Sequence, residues 1–362
     1  MQSTKSFKKA LLVVAWLCTQ AIAQNQIAAV KVLGDVSSLE PNSKAWLSAP
    51  YTTIRLYTKN GDIQTKNLRL KALHNAKYIA FLLSWQDNMP MRFDGFALQF
   101  SINFDDANKL PYIYLGNSTR SVLVHQRINT EQFYLLEVLD LQQFLEPTQS
   151  LRISKKQTNN GATFLASGFD VIEQKEHKNI HMYQSYQNAN YKAVLSKPLQ
   201  SDDGDLLQSI FSLSFLLLDQ SSKDTKPNTF ISPWIGIKLM GIDSDDVFLK
   251  SSKTPIDGDI IRGKELALQN CAVCHHFDDA HNAPQNIAPD LSHVSNLTNI
   301  AYLKESILQP SAVITPTSNA NANFPWFYID DNGQNISTMP AFDWMDTKSL
   351  EDVIAYFASL KF

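Results

Sequence analysis

The pattern of apolar and polar positions changes character near residue 240. Up to that point apolar residues come in short runs or alternate with polar ones, the two-residue period of β-strands. Tyr51–Tyr57 is rich in β-branched and aromatic residues and leads to Asn60-Gly61, a tight-turn dipeptide. Leu68–Leu73 alternates apolar with basic, as a half-exposed strand does. Lys77–Trp85 is almost continuously apolar and predicts a central strand buried on both faces. Phe96–Ile102, Ser121–Ile128, Leu151–Ser154, Thr163–Phe169, Tyr191–Leu195, Phe211–Leu218 and Trp234–Leu239 continue the series. About ten short strands separated by turn residues predict an all-β sandwich or open barrel over 24–240. Trp46, Trp85 and Trp234 are expected in its core.

A stretch at 241–257, with Asp243, Asp245, Asp246 and Asp257 and no sustained period, reads as a linker. Beyond it the period becomes helical. Ile260–Gln269 is a first helix. Asn299–Gln309 carries Ile300, Leu303 and Ile307 at core spacing and stops at Pro310. Thr347–Leu360 places Leu350, Val353, Ile354, Phe357 and Leu360 on one face, with Glu351 and Asp352 assigned to its first turn. Between the last two helices lie a polar run, Thr317–Asn323, and an aromatic cluster, Phe324–Tyr328. The expected architecture is multidomain: an N-terminal all-β sandwich plus a C-terminal all-α domain over 258–362.

Composition adds limits. With 44% hydrophobic and 19% charged residues the chain has the make-up of a soluble globular protein, and a net charge of −3 gives no electrostatic reason for a nucleic-acid or anionic-membrane partner. Residues 1–23 belong to another class. Lys5, Lys8 and Lys9 form a basic start, Ala10–Leu17 a short apolar core, and Ala21-Ile22-Ala23 a small-x-small site, so a signal peptide cleaved after Ala23 is expected. The apolar run is too short for a permanent span, and no other stretch approaches the length of one. Cys18 as a lipidated cysteine is the rival reading, but Leu17 stands where a small residue is wanted.

Removing that segment leaves two cysteines, both within Cys271-Ala272-Val273-Cys274-His275. Cys-x-x-Cys-His is the spacing that attaches a c-type haem: two thiols on one face of a helical turn add across the porphyrin vinyl groups, and the next residue, His275, becomes the proximal nitrogen ligand. A redox dithiol does not account for the histidine, and a zinc site needs further well-spaced ligands. Haem c is attached on the outer side of the bacterial inner membrane, so the motif and the export signal both point to the periplasm.

Residues 258–362 resemble a class I cytochrome c. Ile287-Ala288-Pro289-Asp290-Leu291 is similar to that family's Gly-Pro-Asp-Leu loop, and Tyr302-Leu303-Lys304-Glu305-Ser306-Ile307 to its second helix. Ser337-Thr338-Met339-Pro340-Ala341-Phe342 resembles its Met-Pro loop. The resemblance implies that the Pro289 carbonyl orients His275 and that Met339 is the distal iron ligand. Met345, His276, His281 and His293 are the alternatives, and the last three are expected at the surface or in loops. A six-coordinate iron has no position for substrate, which points to electron transfer. The competing readings are a peroxidase-like haem enzyme with a labile methionine and a ligand-binding, redox-sensing module.

The N-terminal part carries a looser likeness. Trp85-Gln86-Asp87, Asp94-Gly95-Phe96-Ala97-Leu98-Gln99-Phe100 and Pro111-Tyr112-Ile113-Tyr114-Leu115-Gly116 resemble the ethylbenzene-dehydrogenase-related haem-binding domain. Tyr191–Leu195, Phe215–Asp219 and Ser232-Pro233-Trp234 follow in the family's order. That family includes γ subunits of periplasmic molybdenum enzymes of the dimethyl-sulfoxide-reductase superfamily. The resemblance implies a non-covalent haem b and a redox partner such as a molybdenum oxidoreductase. Leu115 stands where the family commonly has its methionine ligand, so Met89, Met91 or His125, with Lys238, are the substitutes to weigh.

Overall fold

A computed structural model describes residues 26–58, 64–101, 121–129, 132–133, 155–156, 161–167, 172–176, 179–200, 210–223, 228–242, 256–278, 280, 287–292, 294–296, 298, 300–312 and 327–360. The signal-like segment with Cys18, the Asn60-Gly61 turn, Leu115, the strand expected at 151–154, most of the linker, His281, His293 and Phe324–Trp326 lie outside these residues.

The N-terminal strands are β1 (Gln26–Lys31), β2 (Thr52–Thr58), β3 (Thr65–His74), β4 (Tyr78–Gln86), β5 (Gly95–Ser101) and β6 (Val122–Ile128). They continue as β7 (Gln132–Phe133), β8 (Lys155–Lys156), β9 (Ala162–Ala166), β10 (Ile172–Lys175), β11 (His181–Gln187) and β12 (Asn190–Pro198). β13 (Ile210–Asp219), β14 (Asn228–Ile231) and β15 (Ile235–Leu239) complete them. All but the β7–β8 pair belong to one 13-stranded sheet ordered β10-β9-β6-β5-β13-β14-β2-β3-β4-β12-β11. A second bridge joins β13 to β3 through β15 and β1.

The two flanks of this sheet approach each other, since the Arg127 guanidinium on β6 donates to the Met182 carbonyl on β11 at 3.0 Å. The sandwich-or-barrel expectation is therefore met by a single sheet rolled around one core. Ile54, Leu70, Phe81, Phe100, Leu195, Phe215 and Ile237 all face that core from different strands. Phe81 spans it, its ring 6.4 Å from Phe100 and 6.3 Å from Phe215. Each such side chain contributes about 1.5–3 kcal/mol on burial.

β4 shows why its sequence is nearly all apolar. Ile79, Phe81, Leu83 and Trp85 enter the main core, while Ala80 and Leu82 pack on the other side with Val36 and Trp46. Trp46, Trp85 and Trp234 are all buried. β11 and β12 form a hairpin closed by Gln187 opposite Asn190. Its two loop residues, Asn188 and Ala189, have φ of 53° and 57°, the type I′ geometry that matches the strand twist.

The C-terminal region holds α1 (Ile260–Asn270), α2 (Ile300–Leu308) and α3 (Thr347–Ser359). It is not purely helical as expected. β16 (Phe327–Ile329) pairs antiparallel with β17 (Asn335–Ser337). The Asp330 carboxylate causes this local turn by accepting the Asn332 and Gln334 amides, with Gly333 at φ 77°. Among the described residues, no helix is long and apolar enough to cross a membrane.

α1 and α3 cross at a glycine. A Cβ on Gly263 would lie 1.9 Å from the Asp352 carbonyl oxygen, so only glycine permits this approach. Both helices are capped by aspartate: Asp259 accepts from the Ile261 and Arg262 amides, and Asp346 from Ser349. This corrects the first-turn assignment of Glu351 and Asp352. Asp352 lies one turn further on, fully buried, where it binds α1 rather than the helix dipole.

Candidate functional site

α1 runs straight into the two cysteines. At its end the Cys271 amide donates to the Ala267 carbonyl, and the His275 amide to the Cys271 carbonyl at 2.9 Å, so the motif forms a closed turn. That turn places both thiols and the histidine next to one helix end. Cys271 and Cys274 are free thiols, each partly buried. Burial, reinforced by the neighbouring Cys274 sulfur, pushes the Cys271 thiol up to about 12.

His275 is 9% exposed, and its Nδ1 lies 2.8 Å from the Pro289 carbonyl oxygen. A carbonyl only accepts, so Nδ1 carries the proton and Nε2 presents its lone pair. Burial lowers the His275 pKa, against the opposing effects of the Pro289 carbonyl and Asp290, which keeps the ring neutral near pH 7. A neutral imidazole with its tautomer set by a hydrogen bond is the form that ligates a metal. The loop carrying Pro289 is tied down by the Leu291 amide, which donates to the His276 carbonyl at 2.8 Å.

Met339 is partly buried, just after β17, and its amide donates to Ser337 Oγ at 3.1 Å. The Phe342 amide donates to the Ile307 carbonyl at 2.9 Å, fastening the Met-Pro loop to the end of α2. Met345 packs on the C-terminal core, and His276 is partly buried. The core itself is small: Phe277, Leu303, Ile307, Leu350, Val353 and Phe357 are among its buried members. Leu266, Cys271, Ala272, Leu291, Ile300 and Phe342 border it while only partly buried. Two thiols, a neutral imidazole, a thioether and an apolar rim fit a haem: the cysteines would hold its edge and His275 and Met339 its iron, and the bound group supplies reversible one-electron chemistry.

The α1–α3 clamp supports this arrangement. Asp352 accepts from the Asp259 amide at 2.7 Å and from Arg262 Nη1 at 2.6 Å, while Arg262 Nη2 donates to Ser349 Oγ at 2.8 Å and Lys348 sits 3.0 Å away. Burial alone would raise the Asp352 carboxyl, but the Asp259 amide, Lys348 and Arg262 hold it below 3.8. A carboxylate depressed on folding adds stability that is fully present above its unfolded value and lost as pH falls through its folded value. The Asp352 contribution to stability is therefore expected to stay level from neutral pH down to about 4 and to fall below it. In Asp352→Asn the fall should be shallower and the neutral-pH stability lower, measured by denaturant titration at each pH. Identical acid profiles would remove Asp352 from this role.

The N-terminal candidates fall in different places. Met89 is exposed and Met91 partly buried in the turn before β5, and Lys238 is partly buried on β15. His125 is fully buried with Nδ1 2.9 Å from Thr163 Oγ1, its ring 5.3 Å from Phe100. Lys197, which no motif marked, is fully buried on β12 with its ammonium 4.8 Å from the same Phe100 ring. A second group lies within quoted segments, although no role was expected of its carboxylates. Asp94 accepts from the Gln220 amide at 2.8 Å, the Met91 amide at 2.5 Å and the Tyr191 hydroxyl at 3.0 Å, linking three segments. Asp87 lies beside it, and burial pushes both carboxyls up.

Residues 260–361 match the family model of cytochrome c. Two solved structures are similar at low overall agreement. A family 9 carbohydrate-binding module from Caldicellulosiruptor kristjanssonii in complex with glucose matches at 11% identity and TM-score 0.36, covering 61% of this chain and 98% of its own. A carbohydrate-binding protein from Bacteroides uniformis matches at 9% and 0.34, covering 61% and 93%. No curated protein matches the chain. The C-terminal domain is a haem-binding, electron-transfer cytochrome c domain of class I type, and that family implies covalently bound haem c.

Proposed function

We propose, from a C-terminal domain that is a cytochrome c, that this chain is a periplasmic electron carrier with one haem c anchored by Cys271 and Cys274 and ligated by His275 and Met339. The observation that carries the reading is the buried, neutral His275 ring, held by the Pro289 carbonyl beside two free thiols. The chain's own residues do three things. The turn after α1 sets the thiols and the imidazole in fixed relation, the apolar rim would exclude water from a bound haem and raise the cost of net charge there, and the Met339 thioether as a ligand would favour the reduced state.

The sequence at 1–23 supports export to the periplasm. The N-terminal resemblance supports a haem b in the rolled sheet and a molybdenum oxidoreductase as redox partner. Oxidised and dithionite-reduced spectra of the purified protein, with a pyridine haemochrome assay and acid–acetone extraction, test these points together. One non-extractable haem per chain with a methionine-type charge-transfer band is expected, and an additional extractable haem if the sheet binds haem b. Met339→His should keep the covalent haem, remove that band and lower the reduction potential. A chain without covalent haem in cells able to mature cytochromes c would sink the reading. A five-coordinate, high-spin iron would favour the peroxidase-like alternative.

A further inference from the structure

We infer that Asp87, Asp94 and Asp219 form a calcium site at the rim of the N-terminal sheet. The three carboxylates come from separate places: just after β4, just before β5 and the end of β13. One oxygen of each lies within 4.8 Å of the other two. Calcium bonds oxygen at about 2.3–2.6 Å, so a single ion reaches all three.

A second observation points to a cation. Asp87 is 8% exposed, and its Oδ2 is screened from water and receives no hydrogen bond. The neighbouring ammonium, Lys66 Nζ, stands 3.9 Å from it, beyond hydrogen-bond reach, because it is engaged with Asp219. A buried anionic oxygen without a donor is strongly disfavoured unless a cation meets it. Three carboxylates against one ammonium leave a formal charge that a divalent ion balances. The Met89 amide on Asp87, and the Gln220 and Met91 amides and Tyr191 hydroxyl on Asp94, hold the two side chains in place. Each carboxylate oxygen has two lone pairs, so these bonds leave capacity for a metal.

All-oxygen, anionic donors select a hard cation over zinc or copper. Ligands drawn from loops at three strand ends suit the irregular six-to-eight-fold shell of calcium better than the strict octahedron of magnesium, with water completing the shell. Lys66 is a built-in competitor for Asp219, which sets a modest affinity, Kd on the order of 10⁻⁴–10⁻³ M. The inference is independent of the haem reading.

Calcium titration of the metal-stripped, haem-loaded full chain tests it, by calorimetry and by the Tm of the strand-rich region. Calcium is expected to bind with that Kd and to raise Tm. Lys66→Met should tighten binding roughly tenfold by removing the competing charge. Asp87→Asn and the partly exposed Asp219→Asn should each weaken it at least about tenfold, with the far-ultraviolet dichroism unchanged. No heat and no Tm shift in either the wild type or Lys66→Met overturns the site. So does calcium binding that Asp87→Asn and Asp219→Asn leave intact, and equal affinity for magnesium overturns the choice of ion.

Discussion

A chain carrying Cys271→Ala and Cys274→Ala together is expected to lose its haem on denaturation, while each single substitution keeps it through one remaining thioether. Both sulfurs sit on one closed turn, so on the proposed attachment either alone would anchor the group. The expected loss extends to stability. The C-terminal core has few fully buried side chains, and several apolar residues around the motif are only partly covered by protein. In a domain this small, binding energy of a cofactor is folding energy, and removing the covalent link turns a permanent stabilisation into a concentration-dependent one. Haem staining after denaturing electrophoresis reads the first effect, and urea melts of wild type and double variant at equal concentration read the second. Haem that stays with the denatured double variant would contradict covalent attachment through these thiols.

Gly263→Ala should be the most damaging single methyl addition in the helical region. Its Cβ would meet the Asp352 carbonyl oxygen at 1.9 Å and the Tyr356 Cβ at 3.0 Å, both on α3. Neither atom is the loose end of a flexible side chain, so the helices must separate. Separation strains the Asp259 and Arg262 bonds to Asp352 at the same time. A loss of about 3 kcal/mol or more is expected. Gly34→Ala is the control: nothing lies within 4 Å of its added Cβ, and a change within about 0.5 kcal/mol is expected there. Denaturant unfolding of both variants checks the contrast, and equal effects would mean that the α1–α3 contact is not what limits stability.

What could be read from the chain beforehand follows from how far apart the cooperating residues are. Cys271, Cys274 and His275 are local, and so is the alternation that marks β3 or the double-sided burial that marks β4. β1 and β11 were missed because their patterns are mixed: β11, His181–Gln187, is an edge strand with only Met182 fully buried. Lys197 belongs to no motif, and only its register with Ile79 places it in the core beside Phe100. Asp87, Asp94 and Asp219 meet only because β13 pairs with β5 and Tyr191 on β12 reaches Asp94, facts of topology that no spacing encodes. Asp352 was assigned to the wrong task for the same reason, since the group it serves is on a helix far upstream.

The α1–α3 contact also orders events in time. α3 follows every other described element, whereas α1 leads directly into Cys271. Contacts between such distant segments close a long loop and form late, because the entropy of that loop is lost before the contact repays it. During synthesis the thiols therefore emerge well before the helix that completes their surroundings. Until α3 docks, the core against which Cys271 and Ala272 pack is incomplete.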